Sequence, residues 1–256
     1  MYNGTMRQEV FQRLLNINKE FYQSFGQAFA QTRRRVQPGV RRALAEWITD
    51  GNWLDIGCGS GTLAQAWRNT GLKGTYTGID FSEPLLADAG CQELADDGRL
   101  SVTFRQADLA AEGWEHSLPL RVYDGAVSFA VLHHIPSAAY RQQLLGAVAR
   151  LIRPGGLFIL SVWQFQHSPK LLARVLPWRA VGLAAEDIEA GDKLLDWRYH
   201  PGGTEGAPGL RYVHLFSSEE LLGLARVAGF EVIDEYQSDG SGGKLGLYQV
   251  WRRAAS

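Results

Sequence analysis

Apolar residues recur at helical spacing near the start of the chain. Val10, Leu14, Phe21, Phe25 and Phe29, with Phe11, Leu15 and Tyr22 beside them, make one face and predict an amphipathic helical pair that packs as a lid over residues 1–50. Pro38 opens a further helix whose buried positions are Val40, Leu44, Trp47 and Ile48, and Asp50-Gly51 stops it. From there the period switches between strand and helix. Short β-rich runs fall at Trp53 to Ile56, Thr75 to Asp80, Ser101 to Arg105, Gly125 to Phe129 and Leu157 to Val162. Helical stretches separate them: one from Thr62 to a Gly71 C-cap, one capped by Ser82, and one opened by Ser137 and ended by Pro154-Gly155-Gly156. Such alternation predicts an α/β fold with a doubly wound, mostly parallel sheet and right-handed crossovers.

The regularity breaks over residues 164–210, where Pro169, Pro177, Pro201 and Pro208 interrupt short helical pieces. Trp178 and Trp197 mark this insertion after the fifth strand as a folded cap, since a disordered segment is poor in aromatics. Ser217-Ser218-Glu219-Glu220 then reads as a capping box before a helix ended by Gly229. Two last runs, Glu231 to Tyr236 and Leu245 to Trp251, form a C-terminal antiparallel hairpin that brings the sheet to seven strands. The whole, residues 1–256, reads as a single domain.

Chemistry concentrates at the first strand-to-helix junction, Asp55-Ile56-Gly57-Cys58-Gly59-Ser60-Gly61. Three glycines there let a ligand lie against bare backbone, and an acid about 20 residues on, Asp80 at the end of the second strand, suits ribose hydroxyls. The dinucleotide fingerprint is G-x-G-x-x-G, but here the order is G-x-G-x-G, with Thr62 in the last slot. Asp55, just before the first glycine, would repel a pyrophosphate and favours a cationic ligand.

With Asp108 after the third strand, this spacing resembles motif I and its companions in class I S-adenosylmethionine-dependent methyltransferases. The resemblance implies S-adenosylmethionine as cofactor, with its methionyl part on the glycine loop, its ribose on Asp80 and its adenine near Asp108. It assigns the cofactor pocket to Arg33, Asp55, Gly57, Gly59, Gly61, Asp80, Phe81, Asp108, Leu109 and Ala130. Further segments are similar to the tRNA methyltransferases that esterify a carboxymethyl group on the anticodon wobble uridine. These are Phe21-Tyr22, Phe29 to Arg33, Ala130-Val131-Leu132-His133-His134 with Arg141 following, Arg153 to Gly156, Val162-Trp163, Gly191 to Trp197, and Arg211 to Phe216. On that resemblance His134, His133 and Arg141 serve the acceptor side, tRNA is the substrate, and a small zinc-containing activator subunit is a partner. The family's second arginine after the histidines is missing, and Gly242 to Gly246 replaces its Asn-Trp. A small-molecule acceptor is therefore the alternative.

The two histidines, if they end the fourth strand, point to opposite faces, so at most one faces the site, with His134 preferred. Arg33-Arg34-Arg35 also reads as a solvated loop run, and His214 and Tyr212, placed just before a helix, as structural hydrogen-bonders. Trp163 is either a lid anchor or a stacking surface for a flat base. Composition adds limits. A net charge of −1 from 26 basic and 27 acidic residues argues against a large nucleic-acid footprint, although the basic residues cluster toward the start. Cys58 and Cys91 have no metal or disulfide spacing, no secretory signal or membrane-length apolar run is present, no metal site is expected, and a cytoplasmic location is the default.

Overall fold

A computed structural model of the chain describes residues 6–31, 35–90, 98–198 and 208–255. Its main sheet comprises β1 (Gly51–Ile56), β2 (Gly74–Asp80), β3 (Leu100–Gln106), β4 (Tyr123–Phe129), β5 (Ile152–Trp163), β9 (Phe230–Ser238) and β10 (Gly246–Arg253), in the order β3-β2-β1-β4-β5-β10-β9. The first five are parallel, and β10 runs antiparallel to both β5 and β9. The seven strands and the closing hairpin expected from the sequence are therefore present. Their order reverses between β1 and β4, and ligands of open α/β sheets bind at such a switch point, beyond the carboxyl ends of the strands.

Helices cover both faces. On one, α2 (Pro38–Glu46) and α3 (Thr62–Arg68) bury Val40, Leu44, Leu63 and Trp67 against Trp53, Tyr76 and Val127. On the other, α5 (Ala138–Leu151) and α7 (Ser218–Val227) bury Leu144, Leu145, Val148 and Leu221 against Leu54, Ile79, Phe158 and Trp251. Each large side chain fully buried this way contributes about 1.5–3 kcal/mol, which seats the short helices firmly. Ser137 Oγ accepts the Tyr140 amide to start α5, and Ser217 Oγ accepts the Glu220 amide to start α7. The helix α4 (Glu83–Gly90) follows β2.

Three expectations change. The amino-terminal pattern forms one helix, α1 (Gln8–Gln31), in place of a pair before α2. The helix α5 stops at Leu151, and Pro154-Gly155-Gly156 belongs to the irregular start of β5, where Gly155 takes φ +74°. The insertion carries strands as well as the short helix α6 (Pro169–Leu172): β6 (Val175–Leu176) and β7 (Asp192–Trp197) pair antiparallel with β8 (Gly209–His214) in a separate sheet. Tyr212 and His214 thus end a strand.

The helix α1 packs on this small sheet. Val10, Leu14 and Ile17 meet Leu194 and Tyr212, while Asn18 holds β8 by accepting the Tyr212 amide at 2.9 Å and donating to the Tyr212 carbonyl at 3.1 Å. Together α1 and the small sheet roof the carboxyl end of the main sheet.

Candidate active site

Beneath that roof lies a cavity of about 490 Å³. One half is built by the turn after β1. Gly57, Gly59 and Gly61 have φ +78°, +54° and +74°. A β-carbon on Gly57 would lie 2.3 Å from Val131 Cγ2, so close packing as well as backbone conformation demands glycine there. At Gly59 a β-carbon would meet nothing within 4 Å, and the residue lines the cavity. Its bare backbone faces the space a ligand would fill.

Three carboxylates, from β1, the end of β2 and the loop after β3, line the cavity with this turn. Asp80 ends β2, and its two oxygens accept the Gly59 and Ser82 amides at 2.9 Å each. Burial raises its pKa, while those amides pull the other way. Asp55 is 4% exposed and accepts a short hydrogen bond from the Tyr76 hydroxyl. Burial pushes its pKa up to about 7 against the effect of that bond, and the nearby Asp80 adds to the rise. Asp108 closes a turn by accepting the Ala110 amide at 2.9 Å, and its other oxygen lies 2.6 Å from Lys19 Nζ of α1. Phe81, Leu109 and Ala130 complete this wall. Ala130 sits at φ +59°, a strained conformation for alanine, and its amide donates to both Ser161 Oγ and the Ser161 carbonyl. Cys58 is buried with its pKa raised well up by burial, which makes it an inert thiol.

The other half departs from expectation. Leu132–His134 form a 3-10 turn after β4 in place of a strand end, so strand alternation does not separate the two histidines, and both line the cavity. His133 Nδ1 accepts the Trp163 amide at 3.3 Å, and its ring stacks on the Trp163 indole with centroids 6.0 Å apart and planes 26° from parallel. His134 Nδ1 lies 3.0 Å from the Tyr212 carbonyl and 3.4 Å from Asn18 Nδ2, and its Nε2 lies 3.1 Å from the Tyr22 hydroxyl. Tyr22 and Trp163 also line the cavity, as do Asn18, Lys19, Arg211, Asp239 and Tyr248. Tyr22 and Trp163 are residues the resemblance had pointed to. Lys19, Asn18 and Asp239 had no signal beyond their place in elements that turn out to cover the site.

Arg141 is not among the cavity-lining residues. It is 1% exposed, donating to Glu189 at 2.6 Å and to the Ile135 carbonyl at 3.0 Å, with Glu220 at 3.5 Å. Beside it His214 joins Asp192 at 2.6 Å and Glu220 at 3.0 Å. Burial works against the imidazolium there, but the bonds to Asp192 and Glu220 outweigh it and raise the His214 pKa. Glu189, Asp192 and His214 also have metal-ligand proximity, but Arg141 and the Tyr212 hydroxyl already satisfy the two acids. This network fastens the insertion to α5 and α7. Arg33 and Cys91 lie outside the described residues.

The acid half fits the cofactor expected from the sequence. Open backbone at Gly59, three carboxylates and the switch-point position together suit a nucleoside that carries positive charge in place of phosphates. Sequence comparison agrees: the methyltransferase-domain family matches residues 28–235, and the chain belongs to that family. A tRNA (carboxymethyluridine(34)-5-O)-methyltransferase of Arabidopsis thaliana is 27% identical over 206 residues, covering 78% of this chain and 43% of the plant protein. A ubiquinone biosynthesis O-methyltransferase of Pseudomonas entomophila is 30% identical over 181 residues, or 71% of this chain and 65% of that protein. The chain thus spans less than two thirds of either relative. Among solved structures, a methyltransferase of Haloferax volcanii in complex with the Trm112 methyltransferase activator shares the fold, with a TM-score of 0.56 at 18% identity over 98% of this chain and 99% of that one.

Proposed function

We propose that this S-adenosylmethionine-dependent methyltransferase esterifies the carboxymethyl group of a wobble uridine in tRNA. The observation that carries the reading is that Trp163, His133 and His134 line the cavity together. Aromatic residues at such a site suit a flat base, since stacking needs little sequence-specific hydrogen bonding. The Arabidopsis relative acts on carboxymethyluridine, and it matches most of this chain.

When bound, the cofactor supplies a methyl group on a cationic sulfur. Asp80 accepts from ribose hydroxyls, with its own orientation fixed by the Gly59 and Ser82 amides. Asp55 offers a carboxylate to the cationic end of the ligand. A carboxylate acceptor needs no proton removed, so His134 is not required as a base. Its ring, held between the Tyr22 hydroxyl and the Tyr212 carbonyl, instead fixes this side of the cavity. Leu15, Asn18, Lys19 and Tyr22 of α1 cover the cavity, and a site shielded from water strengthens attraction between opposite charges. By the same reading a small activator subunit joins the enzyme, as in the Haloferax complex, and co-expression should raise activity.

A second reading is supported by the enclosure itself. Leu15, Leu109, Ile135 and Trp163 line the cavity with apolar surface, as suits an enzyme for a small acceptor. The Pseudomonas relative is of that kind by name. Methyl-labelled cofactor offered in parallel to bulk tRNA and to a metabolite extract decides between them. A labelled, alkali-labile methyl ester in a digested tRNA nucleoside supports the first reading, and label confined to small molecules overturns it.

A further inference from the structure

The helix α2 has no cap from its own neighbours. Gln37 at its N-cap makes no side-chain hydrogen bond to the first turn, and Pro38 has no N–H to offer. The Gly39 amide instead donates to Asp239 Oδ1 at 3.0 Å, in the turn between β9 and β10, 200 positions along the chain. A carboxylate there also suits the positive end of the helix dipole. Asp239 holds φ +69°, and its other oxygen accepts the Tyr248 hydroxyl at 2.5 Å. The Tyr248 ring lies so close to Gly39 that a β-carbon on the glycine would come within 2.4 Å of it. Tyr236 stacks on Tyr248 with centroids 4.9 Å apart and planes 6° from parallel, and its hydroxyl donates to the Gly39 carbonyl at 2.8 Å. The start of α2 and the hairpin are thus joined as one unit, and Asp239 bonds to both parts.

This unit forms a wall of the cavity. Asp239 and Tyr248 line it from the hairpin, and Arg35, Val36, Gln37 and Val40 line it from the α2 side. Because β10 runs antiparallel to β5, Tyr248 stands opposite Ser161 and Gly246 opposite Trp163, at the carboxyl end of β5. In the strand order β10 is four steps from β2, whose end carries Asp80. At ordinary strand spacing that is about 19 Å. The acids that suit the cofactor come from β1, β2 and the loop after β3, so the end at β5 and β10 is left for the acceptor.

We propose that Asp239 is a positioning residue for the methyl acceptor: by joining Gly39 to Tyr248 it fixes the wall that the acceptor meets at the β10 end of the cavity. Its oxygens are turned to Gly39 and Tyr248, so it acts through them and takes no part in the transfer. The proposal goes beyond the choice of acceptor made above, since the same wall serves a tRNA nucleoside or a small molecule.

The test uses the full chain. It reads hydrogen exchange with S-adenosylhomocysteine bound, affinity for S-adenosylhomocysteine, and methyl transfer to the pool that the wild type labels, bulk tRNA or metabolite extract. In Asp239→Ala the amides around Gly39 should exchange about tenfold faster and the apparent acceptor KM should rise about tenfold, with kcat and S-adenosylhomocysteine affinity within about twofold of the wild type. Asp239→Asn, which keeps an oxygen for the Gly39 amide, should recover part of the KM. If Asp239→Ala does not fold, Tyr248→Phe removes one of the two bonds and should shift exchange and KM the same way by a smaller factor. Unchanged exchange around Gly39 overturns the proposal whichever pool carries label, and so does an unchanged KM. A loss of S-adenosylhomocysteine affinity as large as the rise in KM overturns it too, because the wall would then belong to the cofactor. Where neither pool is labelled, exchange and affinity decide alone. Which pool carries label decides the tRNA reading and leaves Asp239 to these measurements.

Discussion

Lys19 Nζ lies 2.6 Å from Asp108 Oδ2, which ties the roof helix α1 to the acid beyond β3. Both side chains are about one third exposed, so the pair is worth no more than ~1 kcal/mol in stability. Its position gives it more influence than its energy does. Lys19→Ala should lower Tm by no more than about 4 °C but speed cofactor exchange, because α1 loses a tether at the cavity. Stopped-flow displacement of a fluorescent cofactor analogue reads this, and an unchanged off-rate would refute the tether.

The buried Asp55 predicts an opposition between stability and binding. Its carboxyl titrates near 7 in the folded chain, above the ordinary 3.8, so the folded state holds the extra proton between those values. Stability from this group is complete below about 4 and is lost as pH rises through 7. Cofactor binding runs the other way, since the cation favours the carboxylate and affinity should weaken as pH falls below 7. Asp55→Asn should therefore raise the Tm of the free enzyme at pH 8 while weakening cofactor binding and flattening its pH dependence. Calorimetry at several pH values measures both.

The glycines of the turn separate fold from ligand. Gly59→Ala meets open space and costs only the left-handed backbone, about 1–2 kcal/mol, yet places a methyl where the cofactor should lie. It should fold and bind S-adenosylhomocysteine about tenfold or more weakly. Gly57→Ala drives a carbon into Val131 and should lose several kcal/mol of stability, roughly the cost of overpacking added to backbone strain. Thermal melts alongside titrations distinguish the two outcomes.

Arg141 supports the insertion, so its loss should look like unfolding before it looks like lost chemistry. Removing it leaves Glu189 without its cation, a change that costs about 3–5 kcal/mol for a buried pair, while Glu220 keeps His214. Arg141→Met should expose β7 and β8 amides to hydrogen exchange. His214 adds a pH signature. Because its pKa is raised in the folded state, its stabilisation is full below 6.5 and is lost as pH rises through the higher folded value. His214→Gln should remove that slope, and Tm measured from pH 6 to 9 tests it.

The cofactor half was legible in the sequence because local rules govern it. Gly57, Gly59, Gly61 and Asp80 sit within one strand-turn-helix-strand unit, and the caps at Ser137 and Ser217 follow from their own next residues. The small sheet was not, because β7 is buried on both faces, Leu194 against α1 and Leu195 against Phe165, which erases the two-residue alternation. Arg141 looked available for an acceptor because Glu189, 48 residues away, gives no local sign that it will claim the guanidinium. The histidine pair was misplaced for a related reason: a tight turn and a strand end read alike over three residues.

The two-way bond between Asn18 and Tyr212 spans 194 positions of the chain. On the ribosome, α1 emerges well before the strand it needs. Contacts this distant in sequence form late, since loop closure must precede them. The strands around the glycine turn can assemble while α1 still waits with its apolar face uncovered. The side of the cavity that His134 shares with Tyr212 then takes shape only once β8 has arrived.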